Sequence, residues 1–177
     1  WDEAVAAAEQ AVHADPLSPF ANTNLGWVLG NAGRIEESID QFHKTLEIAP
    51  DYTFARACMS VPLVVAGRYQ EAAEIMEKWG WSRAFVAQAY ALAGRTDDAR
   101  RILDEIMAAS TPPTVSAYEI AVTKLMLRDT DDAFVWLEKA CDERDNKLPF
   151  IRIQPGLEQY HADPRFIRLL ETVGFPQ

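Results

Sequence analysis

The sequence predicts an all-α protein, a solenoid of antiparallel helix pairs that ends in a C-terminal helical cap. One observation behind this prediction is a segment that is clearest at residues 67–73 (GRYQEAA) and recurs at residues 33–39, 94–100 and 128–134. In each copy a turn glycine, replaced by Arg128 in the last, ends one helical pattern, and an acidic first turn begins the next. A second observation is the period, because 34 residues separate the first two turn glycines, an interval typical of stacked helix pairs. A third is that hardly any segment alternates as a strand would.

The repeats divide the chain into six predicted segments of one elongated domain. A helix over residues 1–14, ended by Asp15-Pro16, is predicted to be the second helix of a truncated repeat, so we expect a piece of a longer protein. Only 27 residues separate the second and third turn glycines, and we place this shortening in a second helix that Trp79-Gly80-Trp81 ends early. The segments are the truncated repeat at 1–18, a repeat at 19–52, a shortened repeat at 53–79, repeats at 80–113 and 114–145, and the cap at 146–177.

Proline and glycine mark further boundaries along the chain. Pro62 lies inside the first helix of the shortened repeat and predicts a kink there. Pro112-Pro113 separates the two repeats that follow. Asp163 as N-cap and Pro164 at the first helical position predict a last helix, which Gly174 ends. An atypical end of this kind would cover the last apolar face of a solenoid.

The repeat at residues 19–52 has small residues where two helices would approach closely, large apolar residues beside them, and a proline that stops the second helix. The positions concerned are Leu25, Gly26, Leu29, Gly33, Ser38, Phe42 and Pro50. They match the pattern of the tetratricopeptide repeat (TPR) family, which the chain resembles over residues 1–143. The resemblance implies a right-handed superhelix whose first helices line a concave surface.

The C-terminal part of the sequence narrows this resemblance. Residues 133–140 (AFVWLEKA), 149–151 (PFI) and 163–166 (DPRF), followed by Leu169-Leu170, resemble one bacterial group in which the repeats form the C-terminal part of multidomain regulators. The N-terminal parts of such regulators are often winged-helix, TolB-like, nucleotide cyclase or protein kinase domains. The resemblance therefore implies an interaction or sensor module attached to an output domain.

Composition excludes several function classes. The net charge of −10 argues against binding nucleic acid, which needs Lys and Arg to neutralise phosphates, and against docking on an anionic membrane. No apolar run approaches the length of a membrane span, and no secretory signal is visible. Cys58 and Cys141 lie in predicted helices without metal-ligand spacing, which indicates buried reduced thiols and a cytoplasmic location.

No residue pattern indicates catalysis. Asp97-Asp98 and Asp131-Asp132 each follow a threonine at the start of a helix, so we interpret them as helix-capping carboxylates rather than catalytic groups or metal ligands. His13, His43 and His161 lie in unrelated repeats without a ligand at suitable spacing. The sequence also lacks a phosphate-binding loop, a nucleophile elbow and a zinc pattern. We therefore expect a protein that is not an enzyme and binds no cofactor or metal.

Charge is divided unevenly between the two helices of each repeat, because the first helices carry few charged residues and the second helices carry many. Since the family's first helices line the concave surface, the resemblance implies an apolar, nearly neutral groove. The family's register places the following residues in that groove: Phe20, Thr23, Trp27, Phe54, Ala57, Val61, Trp81, Ala84, Gln88, Tyr118 and Val122. In one interpretation they bind a ligand. In the other, several pack between neighbouring helices or beneath the C-terminal tail.

The leading hypothesis is a non-catalytic protein-interaction module that binds a peptide or partner segment in this groove, chiefly through Trp27, Phe54, Trp81 and Tyr118. The alternative is a regulatory, sensor or dimerisation segment of a multidomain transcription regulator or nucleotide cyclase, supported by the unpaired helix over residues 1–14. An enzyme on this scaffold is a distant third. The expected partners are a protein or peptide, or a second copy of the chain in a homodimer, but not nucleic acid or membrane.

Overall fold

The computed structural model describes residues 1–109 and 115–174, and the regular secondary structure within these ranges is entirely helical. The chain forms two compact units, Trp1–Trp81 (unit 1) and Ser82–Gln177 (unit 2). Within each unit, consecutive helices pack against each other as adjacent pairs, which confirms the predicted all-α solenoid of helix pairs. The predicted separator Pro112-Pro113 and the boundary between the repeats on either side of it lie outside the described residues.

Unit 1 consists of five helices joined by short turns. The Ser18 hydroxyl caps α2 by accepting a hydrogen bond from the Ala21 N–H at 3.3 Å, and Pro19 occupies the first helical position. Gly33 and Gly67 form the turns after α2 and α4 with φ values of +81° and +74°, a region that glycine adopts readily. The helices are α1 (Asp2–Ala14), α2 (Pro19–Asn31), α3 (Ile35–Ile48), α4 (Thr53–Val65) and α5 (Tyr69–Lys78).

Helices α2 and α3 approach closely and run antiparallel. The Gln41 side-chain amide on α3 donates a hydrogen bond to the Asn22 side-chain oxygen on α2 at 2.7 Å, and the Ser38 hydroxyl donates to the Gly26 carbonyl at 2.7 Å. Residue numbers thus fall along α2 as they rise along α3. The Phe42 ring is fully buried against Gly26, where an added Cβ would lie only 3.1 Å from the ring. The two helices can approach this closely because residue 26 is a glycine.

Both helices between the turn glycines Gly67 and Gly94 are short. Helix α5 has 10 residues, whereas α3 has 14, and it ends just before Trp79-Gly80-Trp81, as the sequence predicts. The next helix, α6 in unit 2, also has only 10 residues. Helix α4 continues through Pro62, whose carbonyl accepts a hydrogen bond from the Ala66 N–H at 2.8 Å.

Unit 2 begins with two helix pairs. Ser116 and Glu119 form a reciprocal capping box at the start of α8: the Ser116 N–H donates to the Glu119 carboxylate at 2.9 Å, and the Glu119 N–H donates to the Ser116 hydroxyl at 3.4 Å. Arg128 occupies the turn position that glycine holds in earlier repeats, and its φ of +64° is correspondingly left-handed. The four helices are α6 (Arg83–Leu92), α7 (Thr96–Ala108), α8 (Ala117–Met126) and α9 (Thr130–Asp142).

The tail of unit 2 forms the predicted helical cap. It contains two 3₁₀ turns, Leu148–Ile153 and Glu158–Tyr160, followed by α10 (Pro164–Val173). The Asp163 carboxylate accepts a hydrogen bond from the Arg165 N–H at 2.8 Å, and Gly174 ends α10 with a φ of +95°, both as predicted. Large apolar residues of the tail are fully buried in one cluster with residues of α8 and α9: Ile151, Leu157 and Phe166.

The acidic pairs lie in the first turns of α7 and α9, as the sequence predicts, but they do not occupy the N-cap positions. The N-cap residues of α7 and α9 are Arg95 and Asp129, and neither makes a side-chain capping hydrogen bond. Asp98 instead pairs with Arg95 at 2.6 Å, and Asp131 pairs with Arg165 at 2.8 Å. The carboxylates lie in the first helical turn, where the helix dipole favours negative charge. Asp98 and Asp131 form ion pairs with arginines instead of capping hydrogen bonds.

Candidate functional site

Exposed apolar side chains lie on α2 and α4 in unit 1. Four of the predicted groove residues contribute, with exposed fractions of 67% for Phe20, 48% for Trp27, 53% for Phe54 and 42% for Val61. Val65 adds to them with 63% and was not among the predicted residues, although its spacing of one helical turn from Val61 could have indicated it. We call these five residues the α2–α4 face.

The other predicted groove residues of unit 1 offer less surface. Ala57 and Trp81 are half-buried. Thr23 is only 1% exposed, and its hydroxyl has no hydrogen-bond partner among the described residues. Thr23 therefore belongs to the interior of the unit rather than to its apolar surface.

The predicted groove residues of unit 2 are all buried. Ala84 and Gln88 of α6, and Tyr118 and Val122 of α8, expose no more than 4% of their surface. The Gln88 side-chain amide donates a hydrogen bond to the Glu119 carbonyl at 3.2 Å, which links α6 to α8. Tyr118 and Val122 share one hydrophobic cluster with the tail, and burial raises the pKa of the Tyr118 hydroxyl. In unit 2 these positions pack between helices and beneath the tail, the second of the two interpretations above.

The α2–α4 face repeats with the period of the chain. Phe20 and Phe54 are separated by 34 residues, and so are Trp27 and Val61. Helices α2 and α4 contact each other directly, and the equivalent residues Trp27 and Val61 line one cleft. Seven residues separate Phe20 from Trp27 on α2 and Phe54 from Val61 on α4, a distance of about 10 Å at 1.5 Å per residue. The face thus has one pair of residues near the start of the two helices and another near their ends.

The second of these pairs borders a cleft. Trp27, Val61 and Val65 line it, and α3 contributes to it as well. Its volume is about 320 Å³, near the lower limit of ligand pockets, which range over roughly 300–1,000 Å³. The remaining lining residues are Gly30, Asn31, Ile35, Ser38, Phe42 and Pro62. The cleft has the size and the mainly apolar lining to take one or two large side chains of a partner.

The helices that carry the face are almost uncharged. Helix α2 has no charged residue, and α4 has only Arg56. The Arg56 guanidinium lies 5.1 Å from the centre of the Trp79 ring and donates a hydrogen bond to the Pro50 carbonyl, so it is already engaged within unit 1. No charged side chain therefore interrupts the α2–α4 face.

Charged residues lie in the turns at both ends of α2 and α4. Asp15 and Asp51 are exposed residues of the turns that precede α2 and α4, respectively. The turns that follow contain Arg34 and Arg68, and these pair with acidic residues three positions further on, Glu37 and Glu71. The Arg56 guanidinium lies at the Pro50 carbonyl beside Asp51, and Asp2 and Glu9 act on Arg34, so both acidic and basic groups are present at each end of the two helices.

Residues that could support other chemistry are dispersed. In the part of the chain that the structure describes, no three His, Cys, Asp or Glu side chains are placed to hold a metal ion. Cys58 is buried and Cys141 half-buried, and burial raises the pKa of both thiols, which favours the unreactive protonated form. Each helix within residues 1–109 and 115–174 is too short or too polar to cross a lipid bilayer.

No protein-family model matches the chain. Part of it is similar to Superkiller protein 3 of Saccharomyces cerevisiae, with 34% identity over 70 residues. It is also similar to the peroxisomal targeting signal receptors of Candida glabrata, with 31% identity over 74 residues, and of Saccharomyces cerevisiae, with 30% identity over 73 residues. These alignments cover 40%, 42% and 41% of this chain but only 5%, 12% and 12% of the respective relatives.

These relatives contain tetratricopeptide repeats, so their similarity agrees with the pattern at residues 19–52. The all-helical structure, with its helices packed in adjacent pairs, agrees with it independently. Part of the chain is thus similar in sequence to tetratricopeptide repeat proteins, and its helices pack in adjacent pairs.

Proposed function

We propose that this chain is a non-catalytic protein-interaction module and that its α2–α4 face binds a segment of a partner protein. The observation that carries the proposal is a group of large apolar side chains exposed on two adjacent, almost uncharged helices. Removing apolar surface from water is favourable by roughly 25 cal/mol per Å². Contiguous patches of this kind mark interaction sites, and aromatic residues such as Trp27 and Phe54 are typical anchors.

Two further observations support the proposal. Two of the similar proteins are named as receptors for a peroxisomal targeting signal, which is a binding role. In unit 2, by contrast, the corresponding predicted positions are buried, Tyr118 and Val122 in one cluster with the tail. We therefore assign the proposed contact to unit 1.

The test is affinity capture from host lysate with the wild-type chain and the variants Trp27→Ala and Phe54→Ala. Phe150→Ala is the matched control, because Phe150 of unit 2 is 57% exposed and Phe54 is 53% exposed. We expect a protein that the wild type and the control retain and both face variants lose, since an anchor is worth roughly 2 kcal/mol. Identical capture by all four proteins would contradict binding at the α2–α4 face.

A second candidate function is self-association as a regulatory segment of a larger protein. Ala4, Ala7 and Ala11 are exposed and follow one another at intervals of three and four residues along α1, beside the 68% exposed Trp1. A row of small residues on one helix face allows two helices to approach closely. Light scattering over a range of concentrations tests this candidate. A wild-type dimer that Ala7→Glu converts to a monomer would support it, and a wild-type monomer throughout would count against it.

A further inference from the structure

We infer that residues 154–161 of the tail form a strap that covers the C-terminal ends of α6 and α8 and that opens while the rest of unit 2 stays folded. In the closed state the strap occupies a surface that corresponds, by its position in the repeat, to the cleft of unit 1. This surface becomes available for binding only when the strap opens. The inference goes beyond the proposed function, which concerns the α2–α4 face, and does not depend on it.

The covered surface is identified by its position in the repeat. Asn31 and Val65 line the cleft of unit 1, and each lies two residues before the left-handed turn glycine that follows its helix. Leu92 and Met126 have the same place in unit 2, two residues before the left-handed turn residues that follow α6 and α8. The two residues of unit 1 are exposed, whereas Leu92 and Met126 are half-buried. A further element of unit 2 therefore covers positions that remain exposed in unit 1.

Gly156 of the strap lies against both of these positions. A Cβ added to Gly156 would lie 2.6 Å from the Leu92 Cδ2 atom and 3.8 Å from the Met126 Cε atom. The φ of Gly156 is +83°, a left-handed conformation that glycine adopts readily. The close contact and the backbone conformation both favour glycine here, so the strap fits against α6 and α8 at a residue that suits this approach.

Two side chains of the strap hold it in the closed state. Leu157 is fully buried in the hydrophobic cluster that also contains Val122 of α8. The Tyr160 hydroxyl donates a hydrogen bond to the Leu125 carbonyl of α8 at 2.8 Å and lies 3.4 Å from the Thr130 hydroxyl. Opening would expose the apolar surface of Leu157 and break the Tyr160 hydrogen bond, so the closed state predominates.

The backbone of the strap is held less firmly than the turns between the helices. The N–H groups of Gln154, Leu157 and His161 donate backbone hydrogen bonds of 3.5, 3.4 and 3.3 Å, beyond the usual range of about 2.7–3.2 Å. That of Tyr160 is shorter, at 2.9 Å, and each of these four bonds has its acceptor within the tail. In the turn at residues 93–95, the backbone hydrogen bonds measure 2.9–3.1 Å. A short segment with such long bonds can open without unfolding of the helices beneath it.

The test is thiol labelling of the full chain with a cysteine introduced beneath the strap by Met126→Cys. Val65→Cys is the matched control, because it changes the equivalent position of unit 1, which is 63% exposed. Mass spectrometry of peptides separates these labels from those on Cys58 and Cys141. We expect the Val65→Cys variant to react like a free thiol, and the Met126→Cys variant to react at least roughly tenfold more slowly, through opening of the strap.

Urea distinguishes opening of the strap from unfolding of the whole unit. Opening of the strap exposes little surface, so the labelling rate at position 126 should stay nearly constant at urea concentrations well below the unfolding midpoint. A rate that rises with urea as steeply as global unfolding would overturn the inference, because the tail would then be a permanent part of unit 2. Labelling of the Met126→Cys variant as fast as that of the Val65→Cys variant would also overturn it, because the strap would not be closed.

Further substitutions in the Met126→Cys background test the contacts of the strap. Gly156→Ala places a Cβ against Leu92 and should speed labelling at position 126, and Tyr160→Phe should speed it about fivefold, the value of a typical buried hydrogen bond. Gly94→Ala is the matched control, because its φ of +77° is also left-handed but an added Cβ would meet no atom within 4 Å. It should leave labelling unchanged. Equal acceleration by both glycine variants, or no acceleration by Gly156→Ala and Tyr160→Phe, would overturn the inference.

Discussion

The turns of unit 2 allow a direct test of how backbone conformation contributes to stability. Gly94 and Arg128 occupy equivalent turn positions in successive repeats and adopt similar left-handed conformations, with φ values of +77° and +64°. We therefore predict that Gly94→Ala destabilises the protein and that Arg128→Gly stabilises it. Both positions require a left-handed backbone, which glycine adopts readily and which is unfavourable for alanine and arginine.

The magnitude follows from the geometry of the two positions. A left-handed conformation costs an L-residue about 1–2 kcal/mol, whereas glycine loses about 0.5–1 kcal/mol more conformational entropy on folding. A Cβ added at Gly94 would meet no atom within 4 Å, so no steric cost is added. Arg128 is exposed, so its side chain buries little surface that would be lost. The net effect is roughly 0.5–1 kcal/mol at each position, with opposite signs.

Urea unfolding followed by far-ultraviolet circular dichroism measures both changes on the full chain. The double variant should lie close to the wild type if the two effects are independent. The reasoning would be refuted if Arg128→Gly lowered the unfolding midpoint, or if both substitutions shifted it in the same direction. Either result would mean that side-chain contacts, rather than backbone strain, determine stability at these turns.

Two further predictions concern the C-terminal cap. Tyr160→Phe removes a hydroxyl that donates to the Leu125 carbonyl at 2.8 Å, so it should cost about 1 kcal/mol of unfolding free energy. Tyr118→Phe, which removes a buried hydroxyl without a hydrogen-bond partner among the described residues, should cost nothing, and equal losses would contradict this explanation. Arg165 lowers the pKa of Asp163 below its usual value of 3.8, so the ionised carboxylate stabilises the cap above that pH and ceases to do so as the pH falls below it. Asp163→Asn should flatten this acid dependence of the urea midpoint, and an unchanged dependence would refute the assignment.

The helix pairs could be predicted from the sequence because their signals are local. A turn glycine such as Gly67 and the acidic first turn after it depend only on neighbouring residues, and so does the N-cap at Asp163 before Pro164. The small residue at Gly26 likewise indicates where a second helix can approach. These signals correctly predicted an all-helical chain of adjacent pairs with a helical cap.

The acidic pairs show which contacts a local pattern does not reveal. Residues such as Asp98 and Asp131 are well placed for capping when only their own helix is considered. Both nevertheless form ion pairs with arginines. The partner of Asp131 is Arg165, which lies 34 residues further along the chain. The partner of Asp131 is thus a side chain that the local pattern does not include, whereas Arg95, the partner of Asp98, belongs to the same turn.

The sequence by itself determined the type of fold, the period of the repeats and the low charge of the first helices. The tertiary structure decided which first-helix residues remain available to a partner. Phe20, Trp27 and Phe54 are exposed, whereas Tyr118 is buried in one cluster with the tail. All four are predicted groove residues of first helices. Their exposures differ because burial depends on every element packed around a residue, including segments distant in the chain. The hydrophobic period of a helix shows only which of its faces is apolar.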